Sequence, residues 1–167
     1  AYAFLAARKI GIGRSKCEAE GVAAAEQILK KAEAHKVEVI LPVDHKVAFP
    51  ATDPDFKSPV VVDEIPGDAA ALDIGPRTVE LFAEAVSDSR TIFWNGPMGL
   101  FEKEQYAGGT LALARAVTEA KAIKVAGGGD TLSALAHFGL SERFDLCSTG
   151  GGASLKYLEG KGLPCIE

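Results

Sequence analysis

Apolar and polar residues follow one another along the chain with the spacings of strands and helices. Between residues 18 and 36, apolar Val22, Ile28 and Leu29 recur among Ala, Glu and Lys, which predicts an amphipathic helix packed on a sheet. Similar patterns predict further helices at 2–9, 77–89 and 106–121. Short apolar runs predict strands at 37–41, 46–49, 60–62, 91–94, 123–126 and 144–149. Polar and turn-forming residues predict a loop or the end of a hairpin at 50–58 and a connector at 68–76.

The second half of the chain alternates predicted strands with predicted helices. This order predicts a parallel sheet with helices on both faces, and so a single Rossmann-like, three-layer α/β/α domain over residues 1–167. The run 91–94 is almost wholly apolar, as expected of a strand covered on both faces. The turns at Asn95, Gly127 and Gly150 follow three strands, and the carboxyl ends of parallel strands share one edge. We therefore expect these turns to converge on one crevice.

Two triglycine runs, at 127–129 and 150–152, each join a predicted strand to a predicted helix. Such a turn presents several backbone N–H groups together, and the helix dipole adds partial positive charge. A single glycine cluster is also typical of a loose connector. Two clusters in equivalent places instead predict a site for a ligand with several phosphates. The site is not a P-loop, because Asp-Thr and Ala-Ser follow the glycines where that motif requires Lys-Ser/Thr.

Asp130 and Thr131 directly follow the first triglycine run. A carboxylate at a helix start is often only a cap, and a threonine there can be the same. Beside phosphates, however, Asp130 can ligate Mg²⁺, which usually takes one or two carboxylates and completes its shell with water and phosphate oxygens. Thr131 can then bond a phosphate oxygen. The sequence leaves the capping and ligand-binding roles open.

Asn95 and the residues after it form a second candidate group. Asn95 can bond its own turn, or it can donate to a phosphate oxygen as a neutral group. The residues from Pro97 to Leu100 are mostly non-polar and suit the wall of a pocket for a flat base. Glu102 is either a solvated side chain or an acceptor for ribose hydroxyls.

Composition narrows the class of protein. The net charge of −5 argues against non-specific nucleic-acid binding, and the apolar runs are too short to span a bilayer. No secretion-signal pattern is found, and Cys17, Cys147 and Cys165 are odd in number and far apart, so we expect a reduced, cytoplasmic protein without a zinc site. The stretch 11–13 (GIG) is a partial dinucleotide fingerprint without a preceding strand or third glycine, which makes an oxidoreductase a weak alternative.

Three stretches resemble phosphoglycerate kinase in sequence, order and approximate spacing. They are 91–102 (TIFWNGPMGLFE), 127–131 (GGGDT) and 148–154 (STGGGAS). Shorter similarities lie at 1–5, 41–44 and 72–76. The resemblance covers essentially the whole chain, and the three long motifs are specific.

This resemblance implies part of a two-lobed glycolytic enzyme that transfers a phosphoryl group between 1,3-bisphosphoglycerate and ADP, giving 3-phosphoglycerate and ATP. One lobe binds the phosphoglycerate, and the chain resembles the other lobe, which binds the Mg²⁺-nucleotide. The parent enzyme is expected to be a monomer. The chain lacks the phosphoglycerate lobe, the opening part of the nucleotide lobe with its lysines, and the closing segment. It is therefore expected to be inactive alone; a non-catalytic nucleotide-binding module is the alternative.

The resemblance also implies roles for individual residues. Asp130 is expected to ligate Mg²⁺, Thr131 and Asn95 to contact phosphates, and Glu102 the ribose. The base is expected to lie against Pro97, Leu100 and the Ala71-Leu72 segment. Glycines whose amides stabilise the group in transfer are expected to be the catalytic positions: Gly128, Gly129, Gly151 and Gly152.

Overall fold

The computed structural model describes residues 1–49 and 59–160. Its helices are α1 (Tyr2–Ala7), α2 (Ala19–Ala34), α3 (Pro76–Ser87), α4 (Gly108–Glu119), α5 (Gly129–His137) and α6 (Gly151–Leu158). Its strands are β1 (His45–Ala48), β2 (Val60–Val62), β3 (Ala70–Ile74), β4 (Thr91–Asn95), β5 (Ile123–Gly127) and β6 (Leu146–Ser148). Short 3₁₀ turns occur at Glu104–Tyr106 and Ser141–Arg143. The predicted loop at 50–58 lies outside the described residues.

The parallel sheet predicted for the second half is present, and the α/β class is confirmed. Its strand order is β4-β5-β6. Asn95 at the end of β4 pairs with Gly127 at the end of β5, which in turn pairs with Ser148 at the end of β6. Three carboxyl ends therefore lie level with one another at one edge of the sheet.

The main hydrophobic core lies on one side of this sheet. Side chains of α3 pack against this core. Its buried residues come from β4, α4, β5, α5 and the turn before β6: Trp94, Leu113, Ala114, Val117, Ala126, Leu135 and Phe144. On the other side, Ile123 and Leu146 are 59% and 58% exposed. The expectation that residues 91–94 are buried on both faces is wrong. β4 pairs only with β5 among the described strands, and of residues 91–94 only Trp94 is buried.

A second sheet was not predicted from the sequence. It is antiparallel, with the order β2-β1-β3, and its small core consists of Val47, Ile65, Ala69 and Ala71. The prediction of a connector at 68–76 is wrong, because β3 forms there by pairing with β1. The predicted strand at 37–41 is also absent. No described strand forms a ladder with those residues, and an extended segment needs such a partner to become a strand.

Two buried aspartates cap the N-termini of neighbouring helices. At the start of α3, the Asp44 carboxylate accepts hydrogen bonds from the backbone N–H groups of Arg77 at 3.0 Å and Thr78 at 2.8 Å. At the start of α4, Asp73 accepts one from the N–H of Gly109 at 2.8 Å. Both carboxylates thus satisfy helix N–H groups that have no partner within their own helix.

Within the two described stretches, every helix is too short or too polar to pass through a bilayer.

Candidate functional site

Three turns meet at the carboxyl edge of the parallel sheet. A Cβ atom placed on Gly151 would lie 2.6 Å from the Cα of Gly128 and 3.3 Å from the Nδ2 of Asn95. A Cβ atom on Gly128 would also lie 3.3 Å from that Asn95 nitrogen. The turns after β4, β5 and β6 are therefore in direct contact, as their positions in a parallel sheet predicted.

Glycine is required at these contacts for two physical reasons. Gly128 has φ +97°, a conformation that other residues rarely adopt. Gly151 has an ordinary backbone but no room for a side chain. The N–H of Gly128 also donates to the carbonyl of Ser148 at 3.1 Å, which joins the turn after β5 to the end of β6.

The starts of α5 and α6 are open at this edge. Their N-cap residues, Gly128 and Gly150, make no side-chain capping hydrogen bond. Gly129 and Gly152 in the first turns are exposed, and outside their own helix backbone and chain neighbours no described atom lies within 4 Å of the place a Cβ would occupy on either. Uncapped first-turn amides and two converging helix dipoles together favour an anion.

Asp130 and Thr131 lie in the first turn of α5 but in different environments. Asp130 is exposed at the helix start. Thr131 is 1% exposed, and its Oγ1 accepts a hydrogen bond from the N–H of Gly96 at 2.6 Å. The Thr131 hydroxyl keeps one proton to donate, but its observed contact ties α5 to the turn after β4.

The turn after β4 is held by further buried groups. The indole N–H of Trp94 donates to the carbonyl of Gly96 at 2.7 Å. The Oγ1 of Thr110 on α4 accepts from the N–H groups of Met98 and Gly99 at 3.1 and 3.2 Å. These bonds fix the segment from Asn95 to Leu100 against α4 and α5.

Two residues predicted to contact a base are neighbours. The N–H of Leu100 donates to the carbonyl of Leu72 on β3 at 2.8 Å, and both side chains are partly exposed. Glu102, two residues further along, is exposed. The predicted wall therefore combines two segments that are far apart in sequence.

A family model described as phosphoglycerate kinase matches residues 1–161 of the chain. The chain belongs to the phosphoglycerate kinase family.

Curated relatives and solved structures agree with this assignment. The chain is 51% identical over 167 residues to a phosphoglycerate kinase of Desulfosudis oleivorans and 45% identical over 168 residues to one of Clostridium botulinum. These matches cover 99% and 100% of the chain. The structure of phosphoglycerate kinase from Coxiella burnetii matches with a TM-score of 0.91 and 41% identity, covering 99% of this chain and 43% of that one. The chain spans 42% of the length of the two curated phosphoglycerate kinases.

Not every residue assigned from the family resemblance reaches the shared edge. Ala71 is 4% exposed, and its side chain belongs to the core of the antiparallel sheet. Its N–H donates to the Oγ of Ser15 and its carbonyl accepts from the hydroxyl of Tyr2, both at 3.0 Å. The Ala71 side chain therefore packs in the core of the antiparallel sheet, and both of its main-chain polar groups already have a hydrogen-bond partner.

The Gly128 N–H was expected to bond the ligand, but in the structure it donates to the carbonyl of Ser148. Among the described residues, no three His, Cys, Asp or Glu side chains are grouped as a metal site. A metal ion at the helix starts would therefore depend on Asp130 and on oxygens of the ligand.

Sequence reasoning missed Asp73 and Thr110, two buried residues that contact the turn after β4. A signal for Asp73 was present, because an acidic residue flanked by apolar Leu72 and Ile74 is unusual unless it is paired. Thr110 gave no signal, because a threonine two residues into a helix is ordinary.

Proposed function

We propose that this chain is the nucleotide-binding part of a phosphoglycerate kinase that transfers a phosphoryl group between 1,3-bisphosphoglycerate and ADP, yielding 3-phosphoglycerate and ATP. The observation that carries this proposal is the contact among Asn95, Gly128 and Gly151, beside two uncapped helix starts, in a chain of this family. The polyphosphate of ATP or ADP has the charge and length to bridge both starts. A cytoplasmic location, expected from the isolated cysteines, accompanies the proposal.

In this proposal the phosphates lie over the first turns of α5 and α6. The amides of Gly129, Gly151 and Gly152 neutralise charge on the group in transfer, while Gly128 contributes through its conformation. The Asn95 amide donates to a phosphate oxygen. Thr131 supports this side by fixing Gly96, and its hydroxyl proton is available to a phosphate.

Asp130 is the residue that would hold Mg²⁺. Its carboxylate is exposed beside the uncapped start of α5, and one carboxylate with phosphate oxygens and water is a common set of magnesium ligands. The metal ion would supply positive charge to the phosphates.

The base and sugar are assigned to the other end of the crevice. Leu72, Pro97 and Leu100 provide the apolar wall, and the exposed Glu102 accepts hydrogen bonds from the ribose. The 3-phosphoglycerate would be bound by parts of the family's length that this chain does not span. We therefore expect the chain alone to give no turnover with 3-phosphoglycerate and MgATP. The family match gives no support to the non-catalytic module considered above.

Calorimetric titration of the chain with MgADP tests the proposal. The test variant is Asn95→Asp, which changes one amide to a carboxylate of nearly the same shape beside the phosphates. Repulsion between this carboxylate and the phosphates is expected to lower the affinity for MgADP about tenfold. Gln27→Glu makes the same change on the exposed side of α2 and is expected to leave the affinity unchanged. Failure of the unmodified chain to bind MgADP, or equal effects of the two variants, would contradict the proposal.

A further inference from the structure

Asp73 is a fully buried carboxylate in the middle of β3. Its Oδ2 accepts from the N–H of Gly109 at 2.8 Å and lies 3.8 Å from the Nζ of Lys46. Its Oδ1 has no hydrogen-bond partner among the described residues. Burial raises the pKa of Asp73, and the hydrogen bonds and Lys46 offset only part of that effect. Helix capping accounts for one of its oxygens and leaves the other unexplained.

The second oxygen fills a space between two glycines. A Cβ atom on Gly99 would lie 2.3 Å from the Oδ1 of Asp73, and so would one on Gly109. Neither glycine has a positive φ, so close neighbours and not the backbone conformation require glycine there: the Asp73 carboxylate at both positions, with the Tyr106 carbonyl at Gly99 and the Ile74 side chain at Gly109. Asp73 therefore contacts the turn after β4 and the start of α4 at once.

Both contacts adjoin residues of the proposed base wall. Leu72 precedes Asp73 on β3, and Leu100 follows Gly99 in the turn. The Leu100 N–H and the Leu72 carbonyl are bonded at 2.8 Å. A shift of Asp73 relative to Gly99 would therefore change the separation of the two leucines, although Asp73 itself is fully buried.

We propose that Asp73 is a positioning residue for the base of the nucleotide: its carboxylate sets the spacing of β3, the Gly99 turn and α4, and so holds Leu72 and Leu100 in register as one wall. This inference rests on the proposed function. Asp73 acts on the base side of the site and not on the phosphate side, where Gly129 and Gly152 lie.

The chain contains a matched control for this role. Asp44 is also buried, at 1% exposure, and also accepts hydrogen bonds from helix N–H groups, those at the start of α3. A role confined to capping a helix would make Asp44 and Asp73 equivalent. A positioning role makes only Asp73 important for recognition of the base.

Two probes separate the base from the phosphates: MgADP and magnesium pyrophosphate, each titrated calorimetrically into the full chain. Asp73→Leu removes both oxygens, and we expect MgADP affinity to fall about tenfold while magnesium pyrophosphate affinity changes less than about twofold. Asp73→Asn keeps an acceptor for Gly109 and is expected to recover most of the loss. Asp44→Leu is expected to leave the ratio of the two affinities unchanged. Gly99→Ala, which places a methyl group against Oδ1, is expected to imitate Asp73→Leu.

The outcomes distinguish the two proposals. If the unmodified chain binds neither probe, the proposed function fails and the role of Asp73 fails with it. If the unmodified chain binds both but Asp73→Leu weakens them equally, or leaves both unchanged, only the positioning role is overturned. Should Asp73→Leu not fold, Gly99→Ala decides: an unchanged affinity ratio in that variant overturns the inference.

Discussion

Gly151 lies so close to Gly128 that a methyl group on Gly151 would be 2.6 Å from the Cα of Gly128. This contact between the start of α6 and the turn after β5 determines how near the two helix starts come to each other. A site that binds a polyphosphate at the N-termini of both α5 and α6 depends on that distance. The contact therefore links the stability of the fold to binding.

Gly151→Ala is expected to push these two turns apart. The methyl group would meet backbone and not a flexible side chain, so we expect a loss of about 1–3 kcal/mol in the free energy of unfolding and a marked loss of MgADP affinity. Urea denaturation measures the first effect and calorimetry the second. Gly152→Ala is the control for stability, because apart from chain neighbours and its own helix backbone no atom of the described part of the chain lies within 4 Å of its Cβ position. Equal stability of the two variants would contradict the contact.

Asp130→Ala is expected to remove the magnesium dependence of ADP binding. Without a carboxylate at the start of α5, affinity in the presence of Mg²⁺ should fall to that measured with EDTA. The effect on stability should be small, because an acidic residue in the first turn of a helix contributes about 0.3–1 kcal/mol. Calorimetry with and without EDTA measures the dependence. A variant that still binds more tightly with Mg²⁺ would exclude Asp130 as the metal ligand.

Thr131→Val is expected to destabilise the chain by leaving the N–H of Gly96 without its acceptor. The two side chains have nearly the same shape, and an orphaned, partly buried donor costs about 1–3 kcal/mol. Thr131→Ser keeps the Oγ and should retain most of the stability. Thr118→Val removes a hydroxyl bonded to the Arg115 carbonyl at the surface and should cost less than about 0.5 kcal/mol. A Thr131→Val variant as stable as Thr118→Val would show that the bond to Gly96 is not important.

The two buried aspartates are expected to give stability profiles of opposite sign with pH. Burial raises the pKa of Asp44, but the hydrogen bonds from Thr78 and Arg77 outweigh it, so its net pKa lies below the ordinary 3.8. Asp44 therefore contributes stability that is present above pH 3.8 and is lost as the pH falls through its folded pKa. Burial raises the pKa of Asp73 above 3.8, so its contribution is full below pH 3.8 and is lost as the pH rises through its folded pKa.

Urea denaturation of Asp44→Asn and Asp73→Asn across the acid range checks these signs. Relative to the unmodified chain, Asp73→Asn should gain stability as the pH rises from 3.8 toward neutral. Asp44→Asn should instead lose relative stability as the pH rises toward 3.8 and keep that deficit above it. Parallel curves for the two variants would contradict the opposite shifts.

The candidate site was predictable as far as local patterns reach. The order strand, glycines, helix is local, and parallel pairing brings the ends of successive strands to one edge, so the approach of Asn95 to both glycine turns followed from the sequence. The partner of each backbone group did not follow. The Gly128 N–H is donated to Ser148, and no described strand pairs with the segment 37–41, because both outcomes depend on which strand lies alongside.

The sequence by itself determined the α/β class, the parallel sheet and the residues at its carboxyl edge, since these depend on periodicity and on the geometry of parallel strands. Only the tertiary structure decided that β3 is a strand, that Leu72 faces Leu100 while Ala71 is buried, and that Asp73 lies between Gly99 and Gly109. Those results depend on contacts between segments far apart in the chain. In a strand as short as β3, the pairing with β1 and its register shift between Lys46 and Val47 together decide which side each residue faces.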